Sequence, residues 1–524
     1  MSLRSRREFL RNSAALAALG GSGLYAGRAA AGFDVKVASA KTGTAKGPND
    51  TLNVAVIGVH GRGKDHVKGL LGGNRNIQIT TICDADQAVV GGVMKDIEKA
   101  QGKAPKFEQD LRRVMDDKSI DIVTIATPNH WHALAAIWAM QAGKHVYVEK
   151  PVSHNVSEGR RIVEASRRYN RICQTGTQSR SNQGMRDAIA YVHSGKIGKV
   201  VLSRGICYKL RGSIGKTTGA QPIPKTVDYD LWCGPAPKAD LHRKNLHYDW
   251  HWMWDYGNGD LGNQGIHEMD KARWGLNKHE MPKSVLSYGG RFGYSDDGQT
   301  ANTQVCIFDY GDSELIFEVR GLPSVSPYPF NPEEAKKAKP ADTAKKADAG
   351  KKAIADKKPG LPKLPTFVGN IFYGTEGLVI CPSYSSGVAF DLKGNVIQSL
   401  SKGGDHYGKF LSAVRNNNRA ELNADIEEGH MSSALCHLGN MSYRLGTQQK
   451  FSEKTKAFGD DKEAYETVAR MKDHLKANHV ATDGLTYQLG RKLNMTGETC
   501  GSDAAANAML TRNYRKGFEV PAKL

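Results

Sequence analysis

The chain has 524 residues, 39% of them hydrophobic and 24% charged, enough length and apolar content for two substantial domains with their own cores. Its formal charge of +19 invites a polyanionic partner, yet residues 1–31 hold five arginines against one glutamate and residues 331–365 hold ten lysines against five acids. The remaining excess forms no basic stripe with interleaved aromatics, which excludes a nucleic-acid surface. Eight cysteines without a CxxC pair or a Cys/His cluster exclude a disulfide framework and a zinc site, so buried thiols and no metal are expected.

The first element is SRREFL (residues 5–10), followed by a mildly apolar run from Ala14 to Ala26 and the small-residue stretch AGRAAAG. Paired arginines, apolar run and small residues in that order read as a twin-arginine (Tat) export signal over residues 1–31, cleaved after Ala31. The mature protein is therefore expected in the periplasm or otherwise exported, with no membrane span. That route carries folded proteins, which directs attention to a cofactor loaded before export. Residues 32–50 read as a Gly/Lys/Thr linker.

Residues 51–175 follow the order of a Rossmann dinucleotide-binding domain. TLNVAVIGVHGRGKDHVKGLL gives a buried strand, a glycine turn and the start of a helix. Gly58 and Gly63 take the first and third places of G-x-G-x-x-G, where they permit the tight turn and close helix packing. His60 stands in the second place, and Gly61 beside it can let backbone approach a diphosphate while Arg62 offers charge. NIQITTICDADQ reads as a second strand ending at Asp84, 26 residues after Gly58, where a carboxylate would bind an adenosine ribose and favour NAD over NADP. DIVTIATPNHWHALAAIWAMQAGKHVYVEKP continues the alternation of strand and helix.

GVHGRG, ICDAD, ATPNHWH and VEKPVSHN, in that order within about 100 residues, resemble the Gfo/Idh/MocA family of sugar and inositol oxidoreductases. The resemblance extends through GTQSRSN, DYDLWCGPAP, GDHYGKFLSAVRNNN and LNADIEEGHMSSALCHLGNMSYRLG, over roughly residues 50 to 450. It implies that Lys150 lies beside the nicotinamide and orients the reacting hydroxyl, with Glu149 and Pro151 shaping the turn. It also implies that Thr127, Pro128, Asn129, His130 and His132 form a turn against the cofactor, with Asn129 and His132 nearest the ribose and diphosphate.

Residues 176–450 begin with the helix NQGMRDAIAYVHSGKIG and continue through KVVLSRGICYK, PKSVLSYGGRFGY, TQVCIFDYG, SELIFEVRG, NIFYGTEGLVIC and GVAFDLKG. Several strands without intervening helices predict an α+β domain with a large open, mainly antiparallel sheet. The resemblance implies helices on one face, with the other available for oligomer contacts, hence a homo-oligomer. Residues 331–365, rich in Lys and Ala, read as a disordered insertion. Residues 451–524 form a C-terminal tail in which AMLTRNYRKGFEVP is expected to pack as a closing arm.

The connector HRKNLHYDWHWMWDYGNGDLGNQGIH is dense in aromatic and imidazole groups that suit sugar faces, with His251, Trp252 and Asp260 as candidate substrate contacts. Alternatively Trp250, Trp252 and Trp254 alternate on a strand and fill a core. A helix starting near Gly262 would align Asn263, His267, Asp270 and Trp274 on one stripe. Many members of the family carry D-x-x-x-H here, and this chain has Asn263 in the aspartate place. An amide orients a hydroxyl but exchanges no proton near neutral pH, which leaves His267 as general base, assisted by Lys150. Asp270 would fix the imidazole tautomer or pair with Arg273.

The expected activity is that of an exported NAD(P)-dependent oxidoreductase acting on a CH–OH group of a sugar, polyol or glycoside, with a retained cofactor. Two alternatives stand beside it. One is an NAD-dependent glycosidase or sugar transhydrogenase with a closed redox cycle; the other is a noncatalytic sugar-binding protein that keeps NAD as structure.

Overall fold

A computed structural model describes residues 50–73, 75–333, 365–452 and 455–524. The expected signal segment, nearly all of the linker and most of the Lys/Ala-rich insertion lie outside the described residues.

Six strands form a parallel sheet in the order β3-β2-β1-β4-β5-β6: β1 Leu52–Ile57, β2 Ile77–Cys83, β3 Lys106–Glu108, β4 Ile122–Ile125, β5 His145–Val148 and β6 Cys173–Thr175. β1 and β4 are near-continuous apolar runs because helices cover both faces of the sheet. The order reverses between β1 and β4, and the crevice beyond their C-terminal ends is where a doubly wound sheet binds its ligand. Later parts of the chain complete this domain. Phe410, Leu411 and Val414 of the helix His406–Arg415 pack with Val54 and Val56, and Ile426 joins the core on the opposite face. Phe518 and Val520 of the C-terminal arm pack beside Trp131, as the closing-arm expectation requires.

The second sheet is mixed and mainly antiparallel. Its strands are β7 Val200–Tyr208, β8 Ser284–Gly290, β9 Thr303–Asp309, β10 Glu314–Arg320, β11 Phe367–Gly374, β12 Gly377–Cys381, β13 Ser386–Asp391, β14 Val396–Ser401, β15 Thr447–Lys450, β16 Thr486–Leu489 and β17 Leu493–Asn494. The path runs β14-β13-β12-β11-β7-β10-β9-β8-β16-β15, with β17 also on β8, and only the β7–β10 pair among these is parallel. Period-two alternation sorts its side chains. Leu315, Phe317 and Val319 face the helices Gly265–Gly275 and Ile426–Arg444, whereas Ile316 faces the other way.

That other face is not free, contrary to expectation. Val468, Met471 and Leu475 of the helix Lys462–Ala477 lie over Leu202, Ile206, Ile307 and Ile316. Beneath the helix, Glu318 accepts hydrogen bonds from Arg204 (3.0 Å), Arg470 (3.0 Å), Arg320 (3.1 Å) and Tyr208 (2.8 Å). These cations hold Glu318 well below the usual carboxylate range although its burial opposes them. The tail thus covers a face that composition alone would assign to a partner. All eight cysteines are free and buried. Among the described residues no helix is long and apolar enough to cross a membrane.

Candidate active site

A cleft of about 470 Å³ opens at the C-terminal ends of β1, β2, β4 and β5 and runs to the start of the helix Gly265–Gly275. Gly58, His60, Gly61, Arg62, Asp84, Thr127, Pro128, Asn129, His132, Glu149, Lys150, His251, Asn263 and His267 all line it.

In its first half the protein's polar groups bond mostly to one another. Gly58 has φ +84°, and a Cβ there would meet Ala126 and Thr127 backbone at 2.7–2.8 Å; one on Gly63 would strike the Gly58 carbonyl oxygen. Gly61 differs, because a Cβ there would meet nothing within 4 Å. Its bareness leaves room at the start of the helix Gly63–Leu71, as the approach of a diphosphate demands. Asp84 accepts from Val59 N–H (2.8 Å) and Asp86 N–H (3.1 Å), tying the glycine turn to the end of β2. Each carboxylate oxygen keeps a lone pair for a ribose hydroxyl. The short helix there is capped by Asp86, not Asp84. His60 stacks on His247, whose Nε2 lies 2.7 Å from Asp86, so the second domain closes over the turn.

Glu149 is 3% exposed and takes Arg62 Nε at 2.9 Å and His66 Nε2 at 3.1 Å. Hydrogen bonding from His66 and the charge of Arg62 hold it well below the carboxylate range against its burial. Arg62 is therefore committed to Glu149 and Asp65 while lining the cleft. His132, expected nearest the ribose and diphosphate, instead brings Nδ1 to 2.6 Å from the Pro151 carbonyl and Nε2 to 2.8 Å from that of Thr127. It fastens the TPN turn to the EKP turn. Pro128 precedes the helix Asn129–Gln141, and Asn129 Nδ2 donates to Asn258 Oδ1 at 2.9 Å across the domain boundary. His130 is buried against the Trp232 carbonyl, 2.9 Å away, and packs the turn.

The second half is the reverse: polar groups converge and stay unspent. Lys150 Nζ donates to the Asn263 backbone oxygen at 2.8 Å, and burial lowers its pKa from the ordinary lysine value although Glu149 opposes the shift. The Asn263 side-chain amide lines the cleft with no partner among the described residues. His267 is 6% exposed, and its buried Nδ1 has no hydrogen-bond partner among the described residues. Burial, then the Lys150 ammonium, holds His267 well below its ordinary pKa, so the ring is neutral. Beside it stand Tyr384, with ring centroids 4.8 Å apart, and Gln264, which donates to the Tyr384 hydroxyl at 2.7 Å.

Several expectations for this half need correction. The helix breaks into Gly259–Asn263 and Gly265–Gly275, and Asp270, three residues after His267 on the second piece, does not line the cleft. Asp270 is wholly buried and held by Arg180 Nε at 2.8 Å and Ser432 at 2.7 Å, with Arg273 only at 4.0 Å, so it does not orient the imidazole. Asp260 is paired bidentately with Arg211 at 2.7 and 2.8 Å and does not line the cleft. Residues 249–252 form a 3₁₀ turn, not a strand, closed by His251 N–H on the Tyr248 carbonyl (3.3 Å) and Met253 N–H on the Trp250 carbonyl (3.1 Å). The turn puts Trp250 and His251 at the cleft, stacked 3.7 Å apart, and sends Trp252 behind them under Arg211. Burial pushes His251 down to about 3, so it too is neutral. Lys209, Arg211, Tyr248, Gln264 and Tyr384 also line the cleft. Lys209 and Arg211 follow β7 and could have been sought at a strand end; Tyr384, in the β12–β13 turn, carries no local signal.

Residues 52–177 match a family model described as "Oxidoreductase family, NAD-binding Rossmann fold", and residues 187–290 match its "C-terminal alpha/beta domain". Across these two stretches the chain is similar to the Gfo/Idh/MocA oxidoreductase family. A "Glycosyl hydrolase family 109 protein" of Saccharopolyspora erythraea is 34% identical over 209 residues, 38% of this chain and 45% of that protein. An "Inositol 2-dehydrogenase" of Salmonella paratyphi B is 27% identical over 182 residues, 34% and 53% of the two chains. The chain thus spans about half the length of these curated relatives. Its fold matches that of the WlbA dehydrogenase from Bordetella pertussis in complex with NADH and UDP-GlcNAcA. There the TM-score is 0.51 at 18% identity, covering 75% of this chain and 97% of that one. A levoglucosan dehydrogenase in complex with NADH gives a TM-score of 0.52 at 16% identity, over 74% and 97%. The first domain is an NAD-binding Rossmann domain, and the glycine turn, the bare Gly61 and Asp84 fit that cofactor.

Proposed function

We propose that the protein is an exported, NAD-dependent oxidoreductase that acts on a CH–OH group of a sugar, polyol or glycoside and keeps its cofactor bound. The observation that carries the reading is the convergence of Lys150, Asn263 and His267, none spent on a carboxylate, at the end of the NAD cleft. The hydroxyl oxygen sits between the Lys150 ammonium and the Asn263 amide, which lower the cost of alkoxide character. His267, neutral and lining the cleft, takes the hydroxyl proton on its exposed edge. NAD, when bound in the cleft, would supply the hydride acceptor for the carbon that bears this hydroxyl. Trp250, His251 and Tyr384 supply ring surfaces for a sugar.

Asn263 acquires a reason in this scheme. A carboxylate there would pair with Lys150, hold it fully charged and raise its pKa. The amide leaves the ammonium bonded to a backbone carbonyl, with its pKa lowered by burial.

SRREFL and the small residues after it support export. Export favours a cofactor that never leaves, and the likeness to the family 109 glycosyl hydrolase gives the closed redox cycle a specific footing as second reading. A homo-oligomer would form away from the sheet face that the tail helix covers. The purified mature protein should release NAD, not NADP, on denaturation, identified by mass spectrometry. Mixed with a panel of sugars and polyols, it should show a single-turnover rise in reduced nicotinamide. A free keto-sugar would favour net oxidation over the closed cycle, and a bound cofactor that no sugar reduces would leave the noncatalytic alternative standing.

A further inference from the structure

His251 has one ring nitrogen fixed and the other open. Its Nδ1 lies 2.6 Å from the Tyr248 backbone oxygen. A carbonyl oxygen carries no hydrogen, so Nδ1 bears the N–H and Nε2 keeps the lone pair. Nε2 is not buried and has no partner among the described residues, and the ring lines the cleft.

The surroundings hold the ring in that sense. One face stacks on Trp250 with centroids 3.7 Å apart, and Trp250 is itself held by its indole N–H on the His247 carbonyl at 2.9 Å. Turning the imidazole over would break the bond from Nδ1–H to Tyr248. Nor does the ring become a donor by taking a second proton. Burial, with the charges of Lys150 and Arg211, pushes its pKa down to about 3, against the pull of the Tyr248 carbonyl. Lys150, Lys209 and Arg211 line the cleft with it, and all three can only donate. His251 is their complement, a lone pair that only a hydrogen-bearing group can meet.

We propose that His251 Nε2 accepts a hydrogen bond from a second, non-reacting hydroxyl of the substrate, so that the cleft takes polyhydroxy compounds in preference to simple alcohols. This rests on the reading of the cleft as a carbohydrate site and adds a specificity-determining residue distinct from the base. An ether oxygen in that place would oppose lone pair to lone pair and leave the imidazole unpaired, which selects against a substrate alkylated there.

The test is calorimetric titration of the full chain, loaded with NADH so that the alcohol cannot lose its hydride, with D-glucose, D-galactose, myo-inositol and cyclohexanol in turn. At least one of the three polyhydroxy probes should bind more tightly than cyclohexanol, which carries a single hydroxyl. His251→Phe keeps a flat ring against Trp250 and removes the lone pair. It should weaken that probe by about tenfold or more and leave cyclohexanol unchanged. His251→Gln, whose side-chain oxygen can stand near the place of Nε2, should recover part of the loss, with NADH affinity equal in all three proteins. Reduction of bound NAD by the same probes is followed separately. Binding that depends on His251 without any reduction would sink the oxidoreductase reading and leave the acceptor role standing. The acceptor role is overturned if no polyhydroxy probe binds better than cyclohexanol, or if His251→Phe binds the probes as the parent does. It is also overturned if His251→Gln is as weak as His251→Phe, or if NADH affinity falls with either substitution, which would give the ring to packing or to the cofactor.

Discussion

The two halves of the cleft use polar groups in opposite ways. Around the glycine turn the charged side chains are bonded within the protein: Glu149 to Arg62 and His66, and Asp84 to two backbone N–H groups, while His132 donates its one ring N–H to a carbonyl of the TPN or EKP turn. At the other end the amide of Asn263 and Nδ1 of His267 have no partner among the described residues, and Lys150 rests on a carbonyl oxygen. A cofactor that stays needs a rigid, satisfied cradle; a substrate that turns over needs donors and acceptors left open until it arrives. Mutations in the first half should therefore cost NAD binding and stability, and those in the second should cost rate.

Lys150→Met breaks that contrast most sharply: it should lower kcat by about 10³-fold while NAD affinity, read by quenching of tryptophan fluorescence, stays within about threefold of the parent. His267→Gln comes next, with about 10²-fold lost from kcat and little change in KM. If KM rose and kcat held, the ring would be a binding group only.

Gly58→Ala probes the opposite half. Its φ of +84° and the crowding by Ala126 should destabilise the fold by about 1–3 kcal/mol and abolish NAD binding, whereas Gly61→Ala, with open space around it, should leave the melting temperature unchanged and weaken NAD alone. Equal melting shifts for the two would contradict the assignment of Gly61 to the cofactor.

Glu268, wholly buried behind His267, has its pKa pushed up to about 7 by burial, above the ordinary glutamate value of 4.5. A carboxyl whose folded pKa is raised favours the folded state below the unfolded pKa. It withdraws that advantage as pH rises from about 4.5 to about 7. Glu268→Gln should flatten this part of the stability-versus-pH curve, by an amount on the order of 1–3 kcal/mol, seen by chemical denaturation across that window.

Asn263→Asp is the mildest change. It should leave NAD and sugar binding nearly intact, alter kcat by about tenfold or less, and move the acid limb of the rate profile to higher pH, because a carboxylate raises the pKa of both Lys150 and His267. Equal loss of binding and turnover would tell against the role given to the amide.

The same contrast explains what could be read from residues alone. The parallel sheet, the glycine turn, Asp84 and the EKP turn rest on local spacing, and they appear where the spacing puts them. His267 and Asn263 also reach the cleft, since four residues separate them on nearly continuous helix. Asp270 and Asp260 were misassigned because a carboxylate follows whichever cation the fold delivers. Here these are Arg180, 90 positions away, and Arg211, 49 away. Trp252 left the cleft because a 3₁₀ turn replaced the expected strand. The helix Lys462–Ala477 covers a sheet face more than 100 residues distant in sequence, beyond what periodicity within the tail can show.

The central claim is that a satisfied NAD cradle and an unsatisfied Lys150–Asn263–His267 end act on one carbohydrate hydroxyl. A single-turnover assay of NAD-loaded parent and Lys150→Met protein, mixed with the same sugar and polyol panel and followed by nicotinamide absorbance, tests it most directly. The account predicts reduction by at least one compound in the parent and none in the variant, with the cofactor still bound in both. Reduction that survives Lys150→Met, or its absence in the parent across the whole panel, would contradict it.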